Sequence, residues 1–160
     1  MSVDRELWKG ISKKLENTDA KIRLSAIEEL ADREEIQAIR LLLKAIADNS
    51  NQNRQRVGEI LLKIKHPAVT NGLIAMLDSD QFHVKVTVNE LLDQMDSETV
   101  FPILSKQLGT PDLEEEIRNH LIPLFISHLD DKQFDLALPY LEHPDSKVKK
   151  AALDGLCRSE

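Results

Sequence analysis

The sequence predicts an all-α fold, a solenoid of five helical hairpins. Three observations predict it. A basic residue recurs at Arg23, Arg54, Lys85, Arg118 and Lys149, at intervals of 31, 31, 33 and 31 residues. Small or apolar residues follow three and seven positions later: Ala26 and Leu30, Val57 and Leu61, Val88 and Leu92, Leu121 and Phe125, Ala152 and Leu156. Eight positions before the basic residue an apolar one closes the preceding helix, at Leu15, Ile46, Leu77 and Leu141; in the fourth unit it is Leu108, ten before, so two residues are inserted there. A fixed period of this length marks stacked helix pairs, in which each pair covers the face its neighbour cannot bury alone.

Composition agrees. The 160 residues are 41% hydrophobic and 31% charged, enough to bury a core and unlike a disordered chain. Only five glycines and 4% aromatic residues favour helices over a small barrel or sandwich. No apolar run approaches the ~20 residues of a membrane span. Asp4 and Glu6 stand early, without an apolar core behind them, so the start is not read as a secretory leader. A single cysteine, Cys157, excludes an internal disulfide and fits a reducing compartment, so a cytoplasmic location is expected. The net charge of −7 argues against general affinity for nucleic acid or an anionic membrane.

Taken in order, the units span about 3–32, 33–65, 66–95, 96–130 and 131–158 of one repeat domain over 1–160. In the first, Leu7, Ile11 and Leu15 share a helix face, and Trp8 beside them reads as a plug over the open end of the core. Asn17, Thr18 and Asp19 form the turn and cap the next helix. Asp32 with Glu35 reads as a capping-box variant for the helix carrying Ile36, Ile39, Leu43 and Ile46. The polar run from Asp48 to Asn53 then turns the chain into the helix 54–65. Pro67 starts the third unit, where its missing N–H is harmless. Val69, Leu73 and Leu77 form its first helix, and Phe82 to Met95 the second. Asp96 and Ser97 cap a helix through Val100, Leu104 and Leu108, which Gly109, Thr110 and Pro111 stop. The fifth unit opens near Asp131, runs through Leu138 and Leu141, turns at His143, Pro144 and Asp145, and ends with the helix from Val148.

The residue pattern resembles short HEAT-like repeats, including those of phycobilisome lyase-type proteins. The resemblance rests on an apolar first helix, a turn with Pro or Asp, and a β-branched–basic pair followed by Ala and Leu. Here the pair stands as Ile22-Arg23, Val84-Lys85, Ile117-Arg118 and Val148-Lys149, and Pro102 and Pro139 lie inside first helices. It covers nearly the whole chain and implies a right-handed superhelix with the second helices on the concave side. The second unit departs from it with Asn53 and Gly58, the fourth with its insertion and with Pro123 inside the second helix.

Two ladders carry the functional reading. The basic ladder (Arg23, Arg54, Lys85, Arg118, Lys149) reads either as a phosphate-tracking stripe or, with Asp19, Asp80, Asp112 and Asp145 four to six residues earlier, as paired charges fixing register. The structural reading is preferred. Five positions after each basic residue, at 140° on a helix whose buried face centres near −60°, stand Glu28, Glu59, Glu90, Pro123 and Asp154. The concave face is therefore expected to be acidic along its middle, flanked by Leu24, Leu62, Val86 and Ile126. A plainly solvated face is the bland alternative; apolar flanks favour a docking site. The helix 114–129 is apolar well beyond one stripe, which reads as deep burial, or as a groove or a homodimer contact.

No metal, cofactor or catalytic site is expected. His66, His83, His120, His128 and His143 include no pair four apart on one helix, and there is no phosphate-cradling glycine loop or nucleophile motif. The leading expectation is a non-enzymatic adaptor that docks a protein or peptide with basic and apolar character. The resemblance also implies a small subunit of a bilin lyase or chaperone-like complex. A HEAT-like nucleic-acid scaffold is a further alternative, opposed by the net charge.

Overall fold

Capping residues set the frame. Asp19, Ser50, His66, Asp96 and Asp145 each stand at a helix N-cap and accept a hydrogen bond from a backbone N–H of the first turn. The computed structural model describes residues 2–158. Among them every regular element is helical: α1 Ser2–Leu15, α2 Ala20–Glu28, α3 Ile36–Ala45, α4 Asn51–Leu61, α5 Pro67–Ala75, α6 Phe82–Gln94, α7 Ser97–Leu108, α8 Glu115–Ser127, a 3-10 helix Phe134–Tyr140, and α9 Ser146–Cys157. The chain divides into two compact units, Met1–Leu91 and Leu92–Glu160.

In the first unit, α1 packs on α2 and α3 on α4, as hairpins. The first helices α1, α3 and α5 lie against one another, and α2 lies against α4, so two helical layers enclose the core. Ile11, Ile27, Leu30, Ile39, Leu42, Ile46, Ile60, Leu61 and Leu73 fill it, each at most 2% exposed. Two glycines permit close approach. A Cβ on Gly58 of α4 would stand 2.9 Å from Leu91 Cδ2 of α6, and one on Gly72 of α5 would overlap Leu43 of α3. Gly58, a departure from the repeat pattern, is thus a contact point between second helices. Trp8 is half-buried, and the Arg33 guanidinium lies over its ring at 5.4 Å.

In the second unit, α8 is the central element, packed by α7, α9 and the 3-10 helix. Leu121, Ile122, Leu124, Phe125 and Ile126 are buried, and Phe101 stacks on Phe125 at 5.2 Å. The broad apolar surface of 114–129 is therefore covered within the unit, which removes the ground for expecting a homodimer contact there. The helix runs on through Pro123.

Two local expectations need correction. The first helix of the fifth hairpin is a 3-10 helix. Its period of three aligns Phe134 with Ala137, which are buried, and turns Leu138 outward, 47% exposed. Asp32 and Glu35 form no capping box: the N-cap of α3 is Glu35, without a side-chain cap bond.

Candidate functional site

The arginines of the basic ladder point at carbonyls. Helix C-termini leave carbonyl oxygens without intrahelical donors, and a guanidinium at the start of the second helix reaches those at the end of the first. Arg23 Nη1 donates to Asn17 O at 2.8 Å and Thr18 O at 3.0 Å. Arg54 Nη1 donates to Asp48 O at 2.8 Å and Asn49 O at 3.2 Å. Arg118 donates to Leu108 O at 2.9 Å and Thr110 O at 3.1 Å. These three close their own hairpins. Lys85 and Lys149 make no ion pair among the described residues.

The anticipated aspartate partners are placed otherwise. Asp19 and Asp145 are helix caps. The carboxylate that meets Arg23 is Asp48, from the next hairpin: Nε donates to Oδ2 at 2.7 Å and Nη2 to Oδ1 at 2.8 Å. Ser50 N–H and the Asn53 amide also donate to Asp48, at 2.8 and 3.1 Å, and Asn53 donates to Ala20 O at 3.1 Å. Burial opposes ionisation of Asp48, but the Arg23 fork, the Ser50 N–H and the Asn53 amide outweigh it and hold the carboxyl below its ordinary value. Asn53, the second departure from the repeat pattern, is thus the buried strut between the first two hairpins.

A cleft of about 570 Å³ opens beside this network, between the turns of the first two hairpins. Its charged groups already answer one another: Lys44 pairs with Glu16 at 2.8 Å, and Arg23 with Asp48. It is a seam between repeats.

The second helices present the other surface. Glu28, Glu59, Glu90 and Asp154 are exposed, as the helical angle requires. Leu24 and Leu62 are half-buried and Val86 is 37% exposed. Ile126 is not a flank: it is 0% exposed. Gly155 of α9 has no side chain to hold the helices apart, and a Cβ there would stand 2.7 Å from Ile126 Cγ2. Asp154, in the second unit, lies 3.6 Å from Lys150.

The acidic stripe of the first unit also holds a base the ladder did not reveal. Arg56 of α4 donates from Nε and Nη2 to the two oxygens of Glu28 at 2.7 and 2.9 Å, and from Nη1 to Glu59 Oε2 at 2.8 Å. Its hydrogen bonds lower the Glu28 carboxyl and, through Glu28 and then Glu59, raise its own guanidinium further. Glu90 makes no ion pair among the described residues. One apolar residue was also missed. Phe82, the first residue of α6, is 81% exposed. Its equivalents in the other units are Ala20, Asn51, Glu115 and Ser146, so the aromatic was visible as an exception to the pattern. Phe82, Val86 and Glu90, four residues apart, form one stripe along α6.

Four of the histidines serve separate local roles. His66 caps α5, His120 Nδ1 meets Glu116 O at 2.8 Å, and His143 Nδ1 accepts from Asp145 N at 3.2 Å. Buried His128 bridges Leu92 O at 2.8 Å and Ser97 Oγ at 3.0 Å.

Paired helices with a basic residue recurring at intervals of 31 to 33 residues, an arginine closing the turn in three of them, define the architecture, and residues 8–85 match the family model for HEAT repeats. Such repeats are a protein-interaction scaffold type of fold. Among solved structures, the chain is similar to the complex of CpcE and CpcF of phycocyanin lyase from Nostoc sp. PCC7120, with 21% identity, 95% of this chain covered and a TM-score of 0.43. It spans 64% of that longer chain. It is also similar to an engineered protein, with 17% identity, 95% of this chain and 78% of that one covered, and a TM-score of 0.37. No curated protein matches the chain. The acidic stripe Glu28–Glu59 lies within the matched HEAT region, and Glu90 just beyond it. Among the described residues no helix is long and apolar enough to cross a membrane.

Proposed function

We propose that this chain is a non-enzymatic interaction scaffold. Its docking surface is the outward face of α2, α4 and α6, and its partner is a protein or peptide with basic and apolar character. One observation carries the reading. Exposed Glu28, Glu59 and Glu90 stand among Leu24, Leu62, Val86 and the protruding Phe82, so charge and desolvable apolar surface occur together. Acids of this kind steer a cationic partner and fix its orientation, while the apolar groups supply the contact that water leaves. The charge is acidic overall, which also sets this reading against a nucleic-acid scaffold.

The test is a partner captured from native lysate, identified, and titrated against wild type and a Glu28→Gln, Glu59→Gln, Glu90→Gln triple variant. The variant keeps its helical spectrum, binds more weakly, and shows a flatter dependence on salt. Wild-type binding by the triple variant across the salt series would place the docking surface elsewhere.

A further inference from the structure

Arg56 divides the acidic face unequally. Both oxygens of Glu28 are taken by its guanidinium, at 2.7 and 2.9 Å. Glu59 gives it one oxygen, at 2.8 Å. Glu90, on the neighbouring second helix, has no such partner among the described residues. Acid available to an outside cation therefore rises from α2 through α4 to α6. Exposed apolar surface is strongest on the same side: Phe82 is 81% and Val86 37% exposed, two turns and one turn before Glu90 on the same stripe.

We infer that Arg56 is a built-in occupant of the acidic face, standing where a partner's cation would stand against Glu28 and Glu59, so that a basic, apolar segment of another protein docks first on Phe82, Val86 and Glu90. This rests on the docking surface proposed above. The chemistry of the partner follows from the spacing. Val86 and Glu90 are one helical turn apart, about 6 Å along the axis. The partner therefore presents an aromatic or aliphatic group and, about one turn away, a lysine or arginine. A planar guanidinium competes better than an ammonium for Glu59, since it can take both carboxylate oxygens where Arg56 takes one. Arg56 thus acts as a filter. It occupies the acids nearest α2 against cations that bring no apolar contact, and yields Glu59 to a partner already held at α6.

The probe is a helical peptide bearing leucine and arginine one turn apart, titrated at several salt concentrations. Arg56→Met keeps the aliphatic stem and removes the competitor. It tightens the peptide about fivefold, consistent with the small energies of exposed ion pairs. Arg40→Met, which makes the same charge change at an exposed position of α3, stays within about twofold of wild type. Phe82→Ala weakens the peptide in both the wild-type and the Arg56→Met background. A peptide that binds through the three glutamates but ignores Arg56→Met overturns the inference and leaves the docking surface standing. Equal tightening by Arg40→Met overturns it too, since net charge would then suffice. A peptide that does not bind, or that is indifferent to the triple glutamine change, overturns both.

Discussion

Arg23 and Asp48, 25 residues apart, grip each other through a two-point fork at 2.7 and 2.8 Å, with side chains only 14% and 4% exposed. The same arginine closes its own turn at Asn17 and Thr18. One side chain therefore sets both the hairpin and its register against the next repeat.

Removing Arg23 leaves Asp48 buried without its cation. Arg23→Ala is expected to cost about 3–5 kcal/mol, as loss of one partner of a buried pair does. Arg54→Ala, which loses bonds to turn carbonyls and to Asn51, is expected to cost about 1–2 kcal/mol. Chemical denaturation ranks the two; equal losses would reduce Asp48 to a bystander.

The pair also sets a pH dependence. The folded state holds Asp48 below its ordinary value, so its contribution is complete above the unfolded carboxylate pKa of about 3.9 and is lost as pH falls through the lower folded value. Asp48→Asn is accordingly less stable than wild type at neutral pH, and the gap closes below about pH 4. Denaturation midpoints across this range check it. A gap that stays constant into acid would mean that ionisation of Asp48 contributes nothing.

Ile126 separates core from surface. Ile126→Ala should cost about 2–5 kcal/mol through the cavity it leaves, without a specific effect on partner binding. Weakened binding with unchanged thermal stability would return this residue to the docking surface.

Phe82 makes the opposite case. Fully protruding, it should tolerate Phe82→Ala within about 0.5 kcal/mol of wild-type stability, while partner affinity falls. A large loss of stability would show that the ring belongs to the core.

Much of this protein was legible one residue at a time. The period of 31 placed the hairpins, because each repeat must bury the same helix faces. The helical angle alone placed Glu28, Glu59, Glu90 and Asp154 outward, because direction on a helix depends only on position along it. What one helix meets on another does not follow from that angle. Asp48 lay in a polar turn, indistinguishable from its neighbours until Arg23 and Asn53 reached it from different segments. Arg56 followed no repeat, since only the glutamate of the preceding hairpin makes its position matter. Ile126 stood at an angle that reads as surface, and became core because Gly155 lets α9 close over it. Local spacing determined the helices and the faces they turn outward. Contacts between residues distant in the chain depend on which side chains are short enough, or missing, to let two helices approach, and that only the tertiary structure decided.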